Sequence, residues 1–132
     1  GELEGIIKTN YINEFEEKHY FILLLSDVSI SLPELQSTIA RFNQQHYQLD
    51  SLETKNMLLT KQEQIFRVGD FEDKTKALLY YEAIKENNKT NILFNNNAMR
   101  SFVISKNNFY LFLKEKNIDE YDAYFQAIYL LN

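Results

Sequence analysis

His19 and His46 are the only histidines in the chain. Imidazole is the side chain that takes and returns a proton near neutral pH, and it is a frequent metal ligand. Either role needs a partner at a suitable spacing. No His-Glu-x-x-His or other metal-ligand spacing surrounds these two residues. His19 begins an apolar run and His46 falls on the apolar stripe of a helical segment, so both read as structural or surface residues. The carboxylates Glu14, Glu16, Glu17, Glu72, Asp73, Glu120 and Asp122 fall on polar faces or at segment starts. Acids in a first helical turn are explained by the helix dipole, and no general acid–base pair is assigned. Nucleophile signatures are missing: there is no Gly-x-Ser-x-Gly, no Walker loop and no Gly-x-Gly-x-x-Gly. With only Gly1, Gly5 and Gly69, the close backbone approach of a phosphate cradle is unavailable. The expectation is a non-enzymatic domain with no catalytic residues, no cofactor and no metal.

The chain has 132 residues, no cysteine and a net charge of −5. That length fits one hydrophobic core. Without cysteine there is no disulfide, no thiolate nucleophile and no thiolate zinc site. The acidic balance, with Lys and Arg scattered among acids, disfavours nucleic acid, which calls for a clustered basic face. No apolar run approaches the ~20 residues of a membrane-spanning helix. No signal peptide is visible. Gly1 has the look of a protease-cleavage scar on an excised piece, so any targeting signal would precede residue 1.

Residues 1–18 are polar and mixed apart from Tyr11, Ile12 and Phe15, and read as a lead-in or linker from an upstream region; residues 19–132 read as a single α+β domain. His19-Tyr-Phe-Ile-Leu-Leu-Leu25 is a continuous apolar run of strand length, the pattern of a strand buried on both faces. Pro33 opens a helix whose Leu35, Ile39, Phe42 and His46 share one face. Leu52–Leu59 and Gln64–Val68 read as strands joined by a turn at Thr60-Lys-Gln-Glu63. Gly69-Asp70 marks a strand-to-helix junction with Asp70 as N-cap. Phe71, Ala77, Leu78, Tyr81 and Ile84 supply the face of a helix ending near Asn87. Residues 87–97 are an asparagine-rich loop with room for an extra edge strand at Ile92-Leu-Phe94. Ser101–Ser105 is the fourth strand. Asn107 or Asn108 caps a short helix carrying Phe109, Phe112 and Leu113, and Asp119 caps a last helix with Tyr121, Phe125 and Ile128. The order βαββαβ closes most simply as a ferredoxin-like sandwich, a four-stranded antiparallel sheet with two helices on one face. Two additional C-terminal helices would cover part of the sheet or its edge.

RNA-recognition domains share this order but carry an aromatic strand motif that Glu63-Gln-Ile-Phe-Arg-Val-Gly69 does not match. Asn88-Lys-Thr90 fits the N-glycosylation sequon and reads as an accidental match in an asparagine-rich loop. The tyrosines at 80, 81, 110, 121, 124 and 129 are too many for all to be expected in a core. Exposed amphipathic rings often mark a contact surface, and half-buried packing at the core edge is the plainer reading.

Several blocks support a family resemblance. His19–Leu25, Phe42-Asn43, Phe66-Arg-Val68, Lys76-Ala77, Tyr80-Tyr81, Phe102-Val-Ile-Ser105, Asn108-Phe109 and Tyr121–Tyr129 together resemble the C-terminal domain of Bacteroidetes tetratricopeptide-repeat lipoproteins. That family includes the gliding-motility and type IX secretion lipoproteins SprE and PorW. The resemblance spans roughly residues 19–130. It implies a periplasmic parent attached by lipid to the outer membrane, helical repeats upstream, and a role in protein binding and assembly of a secretion or cell-envelope machine. A second stretch, Phe66-Arg-Val-Gly-Asp-Phe71 followed by Ala77, is similar to half of the SPOR repeat, with Asp70 where proline is usual. The Gly-Ser-Phe turn expected after the first strand is absent from His19–Asp27. This similarity implies the alternative, binding of peptidoglycan glycan strands, with Arg67 and Phe71 as candidates. The candidate binding surface is therefore Arg67, Phe71, Tyr80, Tyr110 and Tyr124, with a protein as the expected partner.

Overall fold

The computed structural model describes residues 9–26, 30–95 and 98–131. Four strands, β1 His19–Leu25, β2 Glu53–Leu58, β3 Gln64–Phe71 and β4 Met99–Ser105, form one sheet in the order β2-β3-β1-β4 with every neighbouring pair antiparallel. Four α-helices accompany them: α1 Leu32–His46, α2 Lys74–Glu86, α3 Lys106–Glu115 and α4 Ile118–Phe125. The order βαββαβ followed by two helices is the ferredoxin-like arrangement with a C-terminal addition, as the sequence predicts.

The layering follows from the two-residue period of β1. Successive side chains of a strand point to opposite faces. Phe21 meets Tyr80 and Tyr81 of α2, with ring centroids 5.2 and 6.2 Å apart. Its neighbour Tyr20 meets Phe109 of α3 at 5.3 Å. Both faces of β1 are thus covered, and all seven of its residues are buried. α1 lies beside α2, its Phe42 ring 5.6 Å from that of Tyr80. α4 wraps the outer edge of β4. Its Phe125 touches Phe102 on the α3 side and Tyr81 on the α2 side. The Tyr121 hydroxyl donates to the Val103 carbonyl at 2.6 Å, so a side chain satisfies a backbone acceptor on that strand.

The stretch read as a lead-in packs on the domain over its described residues. Tyr11 is buried with its ring 4.8 Å from that of Tyr121. The Asn108 side-chain amide donates to the Ile12 carbonyl (2.7 Å) and accepts from the Ile12 N–H (3.2 Å), a two-point bond that mimics strand pairing. The Lys74 N–H donates to the Phe15 carbonyl.

Element boundaries depart from expectation at the caps. β3 continues through Gly69 and Asp70 to Phe71, because these residues still pair with Tyr20 and His19. The N-cap of α2 is therefore Asp73, accepting from the Lys76 N–H at 2.9 Å, and not Asp70. Phe71 belongs to the strand rather than to the helix face. Ser105, not Asn107 or Asn108, caps α3, and Asn117, not Asp119, caps α4. The cap of α2 lies three residues later than expected because β3 runs on through Asp70, whereas the caps of α3 and α4 lie two or three residues earlier, where Ser105 and Asn117 reach the free N–H groups of the first turn. Residues Asn91–Asn95 form a 3-10 turn rather than the extra edge strand for which Ile92-Leu-Phe94 has room; Asn96 and Asn97 lie outside the described residues.

Candidate interaction surface

The five residues picked from sequence do not form one surface. Tyr80 is buried at the centre of the α1–α2 layer, its ring against Phe21, Phe42, Tyr47 and Phe71. Its hydroxyl donates to Asn43 Oδ1 at 2.6 Å. Burial pushes this phenol well above its ordinary pKa, with the Asn43 bond opposing the shift. Phe71 is buried against Tyr80, and Tyr124 is buried with its hydroxyl on Asn13. These three are corrected from surface to core: Phe71 at the end of β3, Tyr80 on the inner face of α2 and Tyr124 on the inner face of α4 are each covered by rings from other segments. Tyr110 is 55% exposed on α3. Arg67 is half-buried on β3, its guanidinium 4.4 Å above the Tyr20 ring and 5.8 Å from that of Phe109. Only these two remain at the surface.

The histidines divide. His19 is fully buried, and its hydrogen bonds fix its tautomer. Nδ1 lies 2.7 Å from the Glu17 carbonyl, which can only accept, so Nδ1 carries the proton. Nε2 then accepts from the Tyr129 hydroxyl at 2.7 Å. Burial lowers the pKa of His19, opposed by the Glu17 carbonyl and by Asp73 and Glu14, with Lys74 adding to the lowering. His46, expected on the buried stripe, is exposed at the end of α1 beside Asn87. Among the described residues no group of three or more His, Asp or Glu could hold a metal.

Several carboxylates are engaged locally. Glu14 accepts from Ser105 Oγ and Asn107 Nδ2. Glu72 pairs with Lys76 at 2.6 Å, and Asp119 with Arg100 at 2.8 Å. A groove of about 420 Å³ is lined by residues including Tyr47, Asp50, Phe71 and Leu79, and the Lys18–Asp70 and Lys76–Glu72 pairs offset its charges.

What stays open is the β2 side of the sheet. Five of the six β2 residues are exposed and Met57 is partly so, in contrast to the buried β1. β2 is the end strand, with β3 on one side and, among the described residues, no strand on the other. The Leu59 N–H donates to the Glu63 carbonyl at 2.9 Å, which marks Leu59 and Glu63 as a bonded pair in register with Leu58 and Gln64. Bonded pairs alternate along an antiparallel ladder. Met57, Lys55 and Glu53 therefore turn their backbone groups toward β3. Thr54, Asn56 and Leu58 turn theirs outward.

Sequence reasoning placed this strand but did not flag it as a site. The signal was present: Glu53-Thr-Lys-Asn56 is polar on both alternating faces, which only a strand with no layer above or below it tolerates. No family model, no curated protein and no solved structure matches this chain.

Proposed function

We propose that this chain is a non-enzymatic protein-interaction domain that engages its partner through the outer edge of β2. The observation that carries the reading is the edge itself. Along this strand, five of whose six residues are exposed, Thr54, Asn56 and Leu58 turn outward a row of backbone donors and acceptors that no strand among the described residues pairs. Natural sheets usually cover or blunt such an edge, as α4 does for β4 here, and an extended protein segment is the ligand that completes it. The resemblance to repeat-bearing envelope lipoproteins supports a periplasmic parent attached to the outer membrane, in which this domain would serve assembly. Glycan binding, the alternative, asks for ring faces open to a sugar. The rings beside Arg67 belong to the buried Tyr20 and Phe109, which favours the protein reading.

The test is a photo-crosslinking residue in place of Asn56, in the full-length parent and in cells. A discrete protein adduct at this position, absent when the same residue replaces Gln44 on the exposed face of α1, is the expected result. Adducts at position 44 with none at 56 overturn the reading. Co-sedimentation with sacculi, before and after amidase removal of stem peptides, addresses the alternative: pelleting that rises after treatment and falls on Arg67→Ala would replace a protein partner with glycan.

A further inference from the structure

We infer that the partner of the β2 edge is a second copy of this chain, paired antiparallel about a two-fold axis through Thr54. This deepens the edge-strand reading and rests on it. A two-fold pairing of like strands places residue i of one copy opposite residue j of the other with i + j constant. The same face must match the same face, so the axis passes through a residue and its own counterpart.

The charges choose that residue. Lys55 lies directly across β2–β3 from Arg67, cation beside cation, on the sheet face away from α1 and α2. Lys55 forms no ion pair with a described residue. Glu53 lies on the same face opposite Gly69 and has no cationic neighbour across the ladder. An axis at Lys55 would set Lys55 against Lys55, and one at Glu53 would set Glu53 against Glu53, both destabilising cross-strand pairs. An axis at Asn56 would set Lys55 against Met57 and leave both charges uncompensated. An axis at Thr54 places Glu53 of each copy opposite Lys55 of the other, twice by symmetry. It also supplies the acid that the Lys55–Arg67 pair lacks.

The backbone agrees independently. Thr54 is one of the residues whose N–H and C=O point outward, so the two Thr54 residues can exchange a pair of hydrogen bonds at the axis. The product is a continuous eight-stranded sheet across two copies.

Sedimentation velocity over a dilution series tests this with charge variants confined to exposed positions. The wild-type chain should show a concentration-dependent monomer–dimer equilibrium that weakens as salt rises. Lys55→Glu alone and Glu53→Lys alone should each weaken self-association at least tenfold. Mixing those two variants should restore a heterodimer, because each then meets only opposite charge, and the double exchange Glu53→Lys with Lys55→Glu should restore the homodimer. Circular dichroism checks that each variant is folded. Dimers indifferent to both single variants overturn the register. A wild-type monomer at every concentration, with the Asn56 crosslinker capturing a different protein, overturns the second copy but leaves the edge reading standing. A monomer with no crosslink at position 56 overturns both.

Discussion

At the scale of single residues, histidine illustrates how burial redirects chemistry. His19 has the side chain of a proton relay, yet both ring nitrogens are engaged inside the fold, one by a backbone carbonyl and one by Tyr129. Its pKa in the folded state lies below the ordinary 6.5, chiefly because burial penalises the imidazolium. The unfolded chain therefore binds more protons between the two values. The contribution of His19 to stability is complete above about 6.5 and is lost as the pH falls through that interval. Urea unfolding at about pH 7.5 and about pH 5 should show a lower midpoint in acid, and a smaller drop for His19→Gln. An equal drop in both proteins would show that carboxylates, and not this imidazole, carry the acid sensitivity. The tyrosines show the same redirection. Tyr80, Tyr121 and Tyr129 all have pKa values raised by burial and are held neutral. Their hydroxyls bind Asn43, Val103 and His19 rather than any ligand.

At the scale of elements, Gly69 decides how far β3 runs. A Cβ built there would come within 2.9 Å of Tyr20 Cδ1 and 3.2 Å of the His19 carbonyl oxygen. β1 and β3 approach closely at the register shift between His19 and Tyr20, and glycine permits it. Gly69→Ala should cost about 1–3 kcal/mol, since the neighbour to be displaced is a buried ring packed on Phe109. A thermal melt indistinguishable from wild type would sink this account. The elements themselves were largely legible. The apolar run of β1, the stripe Leu35, Ile39 and Phe42 of α1, the face Ala77, Tyr81 and Ile84 of α2 and the turn at 60–63 stand where residue type and period put them, while His46 and Phe71 fall off those stripes. Most of the misplaced boundaries were caps. Asp70, Asn108 and Asp119 are as competent as Asp73, Ser105 and Asn117 by residue type. Which polar side chain caps depends on where the preceding strand or turn releases the chain, a matter of one to three residues.

At the scale of the whole molecule, the core is closed by segments distant in sequence. Tyr11 sits against Tyr121 and Tyr124, Asn13 binds Tyr124, and the Asn108 amide bonds the backbone of Ile12. A chain starting at residue 19 would lose a buried ring and leave the buried Asn108 amide without its partners. The loss should be on the order of 5 kcal/mol, comparable to the whole stability of a small domain. Comparing melts of chains that start at residues 9 and 19 tests this, and equal melting would return residues 9–18 to the status of a linker.

The sequence by itself determined what depends on neighbours along the chain. Period, β-propensity and apolar content gave β1 its place as the covered central strand and set the βαββαβ order, and the polar run Glu53–Asn56 already carried the mark of an edge. Only the tertiary structure decided which aromatics face solvent. Tyr80 and Tyr124 read as contact residues because tyrosine serves cores and interfaces equally well, and Phe71 did so through its place in the half-motif similar to a SPOR repeat. The choice between those roles rests on layers stacked above each side chain by segments elsewhere in the chain. The opposing cations Lys55 and Arg67 likewise meet only through the β2–β3 register, because a charge gains or lacks a partner according to what the fold sets across from it.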